Sequence, residues 1–600
     1  METHPAQGDV DRSIPHSDPH RSIPDYLQPY IVDQEPSRYT AIDQAVWRFV
    51  LLQLEDRLAA SAHPSYAAGL AQSAISAERI PSIGEMNRAL GSIGWRAVCV
   101  DGFIPPRAFQ AFQSLCVLPI AAEIRSPEHL PYTPAPDIIH EAAGHAPILI
   151  DPVYAAYVRA VGEVGARAFS SPADARVDRA VRLLSELKEQ SDSEARQVEA
   201  AERELTGSIL ALGAPSEAAR ISRLYWWTAE YGLVGKLADY RLYGAGLLSS
   251  LGESHFCHRP QVEKRALTAD CTAVGYDITR PQPQLFIARD FEHLHSVLAD
   301  VSQSLAYDIG GDYAVRMARA SGELCTVYLP GGVQVIGTLL GSTADETSEL
   351  LRFEANVALA QRGQLLGRIA SEYCIPLGRL ADMSDPRHVL GSRLAGDAQT
   401  RRVSLDYASG VRVSGLPCVE PWALSEAVLW LSDFRLELRG RTLHSSAEPY
   451  PLLLADRVVT AGAGSASREV SPLGAAPEQA GGAPCERARV PKLRALDPRF
   501  ARLEHLYSLT ASAERQGSRA GLDVVHAQLA TSFPHDWLLR WNLLHALIGL
   551  GWADSELAAE LRHRLRELED HYAGRHPIAL GIEYLRAREG AEPMARQHGS

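Results

Sequence analysis

Near Gly310 the sequence changes period, and that change decides what the chain can fold into. Before it, apolar residues recur at helical spacing from Gln44 to Ala60 and onward. After it they alternate. Leu324-Cys-Thr-Val-Tyr-Leu329, then Pro-Gly-Gly, then Val333 to Leu339 reads as a hairpin. Phe353, Ala355, Val357 and Leu359 alternate with Arg352, Glu354 and Asn356 as one strand. Val403 to Tyr407 and Val411 to Val413 flank an Ala-Ser-Gly turn, and Phe434 to Leu438 repeats the alternation. The Gly/Ala/Ser/Pro run from Ala461 to Pro484 is a linker. Helical patterns then return at Arg502 to Ala513, Gly521 to Thr531, Asp536 to Leu550 and Asp554 to Tyr572, with Asp536 and Asp554 as N-caps. A chain of 600 residues exceeds a single core and suggests about three domains. The expected division is a disordered polar lead at 1–38, a mainly α domain at 39–309, a small β domain at 310–460, a flexible linker at 461–490 and a helical region at 491–600 that serves docking or oligomerisation.

Charge and cysteine usage narrow the function. The formal net charge of −14, with no basic stripe, argues against nucleic-acid binding. Eight scattered cysteines without a Cys-x-x-Cys pair fit reduced thiols in a cytoplasm. The N-terminus has no basic region followed by an apolar run, and no stretch reaches the roughly 18 apolar residues of a membrane span. The most apolar helix candidate, Leu538 to Leu550, is interrupted by Arg540, Asn542 and His545. In the β region, His388 and His444 read as ordinary surface residues.

Chemistry concentrates in two segments. His140-Glu141-Ala-Ala-Gly144-His145 follows Pro134-Ala-Pro136-Asp137-Ile-Ile, and Glu230 closes Tyr225-Trp226-Trp227-Thr-Ala-Glu230. Two imidazoles and one carboxylate are the ligand set that holds ferrous iron on one side and leaves positions open. Zincin histidines stand four apart, about 40° on an α-helix, whereas five apart is roughly 140°. His140 and His145 can therefore share an ion only if the helix ends or distorts between them, for which Gly144 is suited. The alternative is two ordinary polar residues near a helix end. Ser216 reads as the N-cap of the helix that carries Trp226, Glu230 and Leu233 on one stripe. A carboxylate on such a stripe needs a metal, or an arginine partner, to be buried there.

The stretch from about Asp43 to Tyr307 resembles the catalytic domain of the pterin-dependent aromatic amino acid hydroxylases. The matching segments are Ile124-Arg125, Tyr132 to Asp137, His140-Glu141 to Pro147, Leu212 to Pro215, Tyr225 to Leu233 and Tyr243 to Glu253. The resemblance implies that His140, His145 and Glu230 bind Fe(II). It puts Arg125 and Thr133 on the substrate carboxylate with Ser249 nearby, and Pro136 and Trp226 on the wall against the substrate ring. It puts Gly102, Ile104, Phe109, Glu141 and Tyr225 on the tetrahydropterin side, Phe109 stacking on the pterin and Glu141 facing it through water. Relative to the family pattern, an inserted helical hairpin stands at about 168–206, and Leu118-Pro119 replaces aromatic or imidazole groups beside the pocket. The implied reaction is ring hydroxylation of an aromatic amino acid by O2 and a tetrahydropterin, with Trp226 leaning toward phenylalanine. Tyrosine, tryptophan or a specialised aromatic metabolite is the rival substrate. A metal-dependent hydrolase or a non-catalytic scaffold is the rival from another class.

Overall fold

Thr40 starts the first long helix, α1 (Ala41–Leu58). Its hydroxyl accepts from the Asp43 N–H at 3.1 Å, and the Asp43 carboxylate accepts from the Thr40 N–H at 2.9 Å. This reciprocal cap satisfies two donors that a helix start leaves free. Ile42, Val46, Trp47, Phe49, Val50, Leu51 and Leu54 are all buried, so α1 is apolar on nearly every side and needs cover on every side. The computed structural model describes residues 23–73, 75–101, 104–130, 136–189, 195–278, 280–340, 350–382, 402–418, 428–467, 470, 497–571 and 577–589.

The lead is ordered from Ile23, contrary to the expectation of disorder through residue 38. Leu27 is buried against Val98, Val100 and Phe112, and Val32 donates its N–H to Cys99 O at 2.9 Å. The few apolar residues at Ile23, Tyr26, Leu27, Tyr30 and Ile31 suffice to dock a segment that is polar on average. They pack on a two-stranded parallel sheet, β1 (Arg96–Val100) and β2 (Val117–Ala121), joined by α2 (Pro106–Ser114). Next come α3 (Pro152–Arg167) and the hairpin α4 (Pro172–Glu189) and α5 (Ala195–Leu210), which runs four residues beyond its expected end. Ser216 caps α6 (Glu217–Tyr225) as the sequence predicts, accepting from the Ala219 N–H at 3.1 Å. A four-stranded sheet follows in the order β4-β3-β6-β5, formed by β3 (Leu233–Lys236), β4 (Asp239–Leu242), β5 (Glu263–Ala266) and β6 (Gln284–Ala288). Between β4 and β5 lie α7 (Ala245–Ser249) and α8 (Leu251–Phe256).

Helix persists past Gly310 as α9 (Gly311–Ser321), so the β region begins later than its period suggested. β7 (Leu324–Leu329) and β8 (Val333–Thr338) form the expected hairpin, turning at Gly331 (φ 82°) and Gly332 (φ 76°). The alternation from Arg352 to Leu359 is not one strand. Asn356 has φ 70° and divides β9 (Leu350–Phe353) from β10 (Val357–Gln361). Asparagine tolerates that left-handed region, and the turn leaves the alternation in phase. With β11 (Gln364–Ile369), β10, β8 and β7 make a sheet that is closed by Thr460–Ala463, all but the first of which were expected to be linker. A second sheet holds Val403–Asp406, Val411–Pro417, Val428–Leu438 and Arg441–Ser446. His444 there is not a surface residue: it is half-buried, its ring 4.9 Å from Tyr450 and 6.2 Å from Phe434. His388 and residues 468–469 and 471–490 of the linker lie outside the described residues.

Five helices follow: α10 (Pro498–Gln516), α11 (Arg519–Ser532), α12 (Trp537–Gly549), α13 (Glu556–His571) and α14 (Pro577–Glu589), the last unforeseen. Asp536 caps α12, but Ser555 rather than Asp554 caps α13, accepting from Ala558 N–H. The helices cover the outer side of α1. Phe49 meets Trp537 and Trp541 edge-on at 5.1 and 4.8 Å, and Arg48 forks onto Glu514 at 2.6 and 2.9 Å. One hydrophobic core runs through both sets. No helix among the described residues is long and apolar enough to cross a membrane.

Candidate active site

The five-residue histidine step is resolved by helix type. Ile139–His145 is a π-helical turn, in which Ala146 donates its N–H to Glu141 O. Bonds of i→i+5 place residues five apart about one turn apart. The π turn is the distortion that the spacing requires, and the helix continues past Gly144. Gly144 instead admits α7: a Cβ there would lie 2.7 Å from Ala245 O. A second π turn, Trp226–Glu230, ends α6, with Tyr231 N–H on Trp226 O at 2.9 Å. Leu233 then lies on β3, so the stripe expected from Trp226 through Leu233 does not exist.

The two π turns bring three side chains together. Glu230 Oε2 is 3.2 Å from His140 Nε2, and its Oε1 is 3.1 Å from His145 Nε2. Ser249 Oγ donates to Ala245 O at 2.7 Å, so at 3.1 Å it accepts from His140 Nδ1–H. That bond fixes the tautomer and turns the Nε2 lone pair toward Glu230. An ionised carboxylate has only lone pairs to offer. Lone pairs facing at this distance need a proton or a cation between them, so the donor set fits a metal ion. Burial raises the Glu230 carboxyl, but positive charge on the two facing imidazoles outweighs it and holds it below the usual range, the same charge that a metal ion would supply.

A second carboxylate competes for the role. His140, Glu141 and His145 bring donor atoms within 4.8 Å of one another, with Glu141 Oε2 at 3.9 Å from His145 Nε2. Burial pushes the Glu141 acid up to about 8, and its Oε2 has no hydrogen-bond partner among the described residues. Glu230, anionic and touching both imidazoles, is the better ligand. Glu141 faces the same space, and its burial favours the protonated form.

Arg125 is buried and already gripped. Its Nε and Nη2 donate to Asp137 at 2.7 Å each, and Asp137 also accepts the N–H groups of Arg125 (2.9 Å) and His140 (3.0 Å). Burial raises the Asp137 acid, but the Arg125 guanidinium outweighs it and keeps Asp137 ionised. Asp137 thus ties the arginine to the first π turn, a role the sequence reading missed. A lone acid inside an apolar run twelve residues after an arginine was the available signal.

The remaining candidates divide. Phe109, half-buried on α2, meets Tyr225 edge-on at 5.9 Å, and Tyr225 stacks on His145 at 6.4 Å. Gln113, also on α2, donates to the Tyr225 hydroxyl at 2.5 Å. Ile104 packs instead against the small Leu27–Phe112 core. Trp226 stacks on Tyr276 at 4.2 Å and lies 4.7 Å from Tyr231, two tiers that the sequence did not suggest. Pro136 is exposed beside Asp137. Gly102 and Thr133 lie outside the described residues.

A family model described as biopterin-dependent aromatic amino acid hydroxylase matches residues 30–181 and 200–318. These two stretches are similar to that family. The unmatched gap falls in the α4–α5 hairpin, and the β sheets beyond residue 318 and the C-terminal helices lie outside the match. Among curated relatives, phenylalanine-4-hydroxylase of Chromobacterium violaceum is 28% identical over 275 residues, 46% of this chain and 75% of the relative. That of Caulobacter vibrioides is 28% identical over 320 residues, 52% of this chain and 91% of the relative. A solved C. violaceum phenylalanine hydroxylase with bound iron(III) and 7,8-dihydrobiopterin aligns at 24% identity over 47% of this chain and 92% of that one, with a TM-score of 0.37.

Proposed function

We propose that the protein is a pterin-dependent non-haem iron monooxygenase that converts L-phenylalanine to L-tyrosine with O2 and a tetrahydropterin. The observation that carries this reading is the convergence of His140, His145 and Glu230, with the His140 tautomer fixed by Ser249. The family match and the names of the relatives supply the reaction class. Ferrous iron and the tetrahydropterin, when bound, activate O2 so that one oxygen atom enters the aromatic ring and the other leaves on the pterin.

The chain's own residues bind, orient and exclude water. Glu230 would bring one negative charge to a bound ferrous ion and the two imidazoles none, so the ion would keep net positive charge. Arg125, braced by Asp137 along its Nε–Nη2 edge, offers its remaining Nη1 edge to the substrate carboxylate, the group to which the resemblance also assigns Thr133. Pro136 and Trp226 form the wall for the ring. Phe109 stacks on the pterin, Glu141 faces it through water, and Tyr225 backs His145. No side-chain base is needed for the oxidation. The proposed compartment is the cytoplasm, supported by free thiols at all seven described cysteines. Self-association or docking through the C-terminal helices would use their outward faces, such as that of Val524, which is 53% exposed.

The test is anaerobic loading of the full chain with Fe(II) and tetrahydropterin, followed by O2 and product analysis across aromatic amino acids. Tyrosine formed in proportion to pterin oxidised is the expected result. His140→Ala, His145→Ala and Glu230→Ala should each lose retained iron. Full iron retention in all three variants would overturn the ligand assignment, and pterin-independent turnover would overturn the class.

A further inference from the structure

Among the links between the β domain and the hydroxylase segment, one is a carboxylate. Glu323 stands between α9 and β7. Its Oε2 accepts from Arg107 Nη2 at 2.8 Å and from the Ser170 N–H at 3.3 Å, and its Oε1 accepts from the Ser170 hydroxyl. Arg107 also donates through Nη1 to Ala166 O at 3.3 Å, near the end of α3. The Arg107 and Glu323 side chains are only 16% and 28% exposed, so water weakens the pair less than it would on the surface. The flanking residues mark the junction: Ala168 belongs to the core of the hydroxylase segment and Phe169 to the core of the β domain.

Arg107 sits two residues before Phe109 on α2, a helix of nine residues. The N-cap of α2 is Pro105, which offers no side-chain acceptor, so the helix start lacks a local anchor. The other end of α2 carries Gln113, which holds the Tyr225 hydroxyl. α2 rests on α3 so closely that a Cβ on Gly162 would lie 2.8 Å from Gln110 O. A force on Arg107 is therefore felt at Phe109 and Tyr225 together.

We propose that Glu323, supplied by the β domain, is a positioning residue for the pterin side of the active site, acting through Arg107 and α2. The inference rests on the proposed function only in taking Phe109 as the pterin-stacking residue. It gives the β domain a task in hydroxylation: it sets the pose of the pterin and leaves the amino-acid side, built from Arg125, Asp137 and Trp226, untouched.

The experiment uses the full chain loaded with ferrous iron. Anaerobic calorimetry with tetrahydrobiopterin gives the Kd, and steady-state assays give KM for pterin and for phenylalanine separately. Glu323→Gln should weaken pterin binding about three- to tenfold, the loss expected for a partly exposed charge-assisted bond. KM for phenylalanine and the iron content should stay unchanged. Glu323→Asp should recover part of the loss, and Glu323→Gln combined with Arg107→Met should be no worse than Arg107→Met alone. Should Glu323→Gln fail to fold, Arg107→Met and Glu323→Asp carry the same comparison. An unchanged pterin Kd in a folded variant, or an equal rise in both KM values, would overturn the inference. Phe109→Ala separates the two readings. If it weakens pterin binding while Glu323→Gln does not, the inference fails and the site assignment stands. If Glu323→Gln weakens pterin binding while Phe109→Ala does not, the stacking role of Phe109 fails, and with it the route through α2 by which Glu323 is proposed to act.

Discussion

His140 offers one lone pair to the centre of the site because Ser249 occupies its other nitrogen. Removing that hydroxyl frees the ring to rotate and to change tautomer. Ser249→Ala should weaken ferrous-iron affinity about 10- to 100-fold, the usual cost of losing a ligand's outer partner. A ferrous titration under argon reads it, and wild-type affinity would show that packing alone orients the ring. Arg125 is a harsher case, because its guanidinium serves Asp137 on one edge. Arg125→Lys keeps the charge and loses the fork, so Asp137 stays partly unsatisfied in a buried place. The variant should melt earlier by about 1–3 kcal/mol of stability. Its KM for phenylalanine should rise far more than its KM for pterin. A normal phenylalanine KM would remove Arg125 from the substrate.

At the scale of elements, the π turns decide the site. Gly144→Ala puts a methyl 2.7 Å from Ala245 O, so α7 must move and take Ser249 with it. A loss of about 1–3 kcal/mol is expected from such overpacking. Thermal melts and iron content should fall together, and a normal melt with full iron would show that α7 has room. The same turns mark what was legible. Ser216 and Asp536 announced their helices because a cap is a local event. The hairpin at Pro330-Gly331-Gly332 announced itself through turn chemistry. The ligands His140, His145 and Glu230 could be singled out by type and order, yet their convergence could not, since periods of 3.6 and 2 leave no place for a π turn. Asn356 hid a turn inside an unbroken alternation. Asp137 and Glu323 escaped because their partners are fixed by the folded chain: Arg125 lies in the preceding loop, and Arg107 is 216 residues away.

At the scale of the whole molecule, the C-terminal helices complete the burial of α1. His545 sits in that contact, its ring 5.2 Å from Trp541 and 6.3 Å from Tyr584, with Nδ1 3.8 Å from Glu514 and the guanidinium groups of Arg48 and Arg588 also facing it. Burial, helped by Arg48, lowers its pKa from 6.5 to about 4. Below pH 6.5 the unfolded chain takes up a proton that the folded one refuses. Stability should therefore fall as the pH drops from 6.5 toward 4, by about 2–3 kcal/mol at most. His545→Gln should flatten that part of the profile, as read by urea melts across pH. An unchanged slope would place the acid sensitivity elsewhere.

The tail also sets a clock. α1 ends at Leu58 and its outer cover begins at Pro498. At about 5–20 residues per second, the ribosome needs roughly 20–90 s to make the stretch between them. Through that interval Phe49 and its neighbours wait uncovered beside an otherwise finished ligand set. A chain that stops early keeps every group needed for the chemistry but exposes an unburied helix face, the kind of surface that chaperones and proteases recognise. An uncovered α1 thus marks a chain whose C-terminal helices have not yet docked.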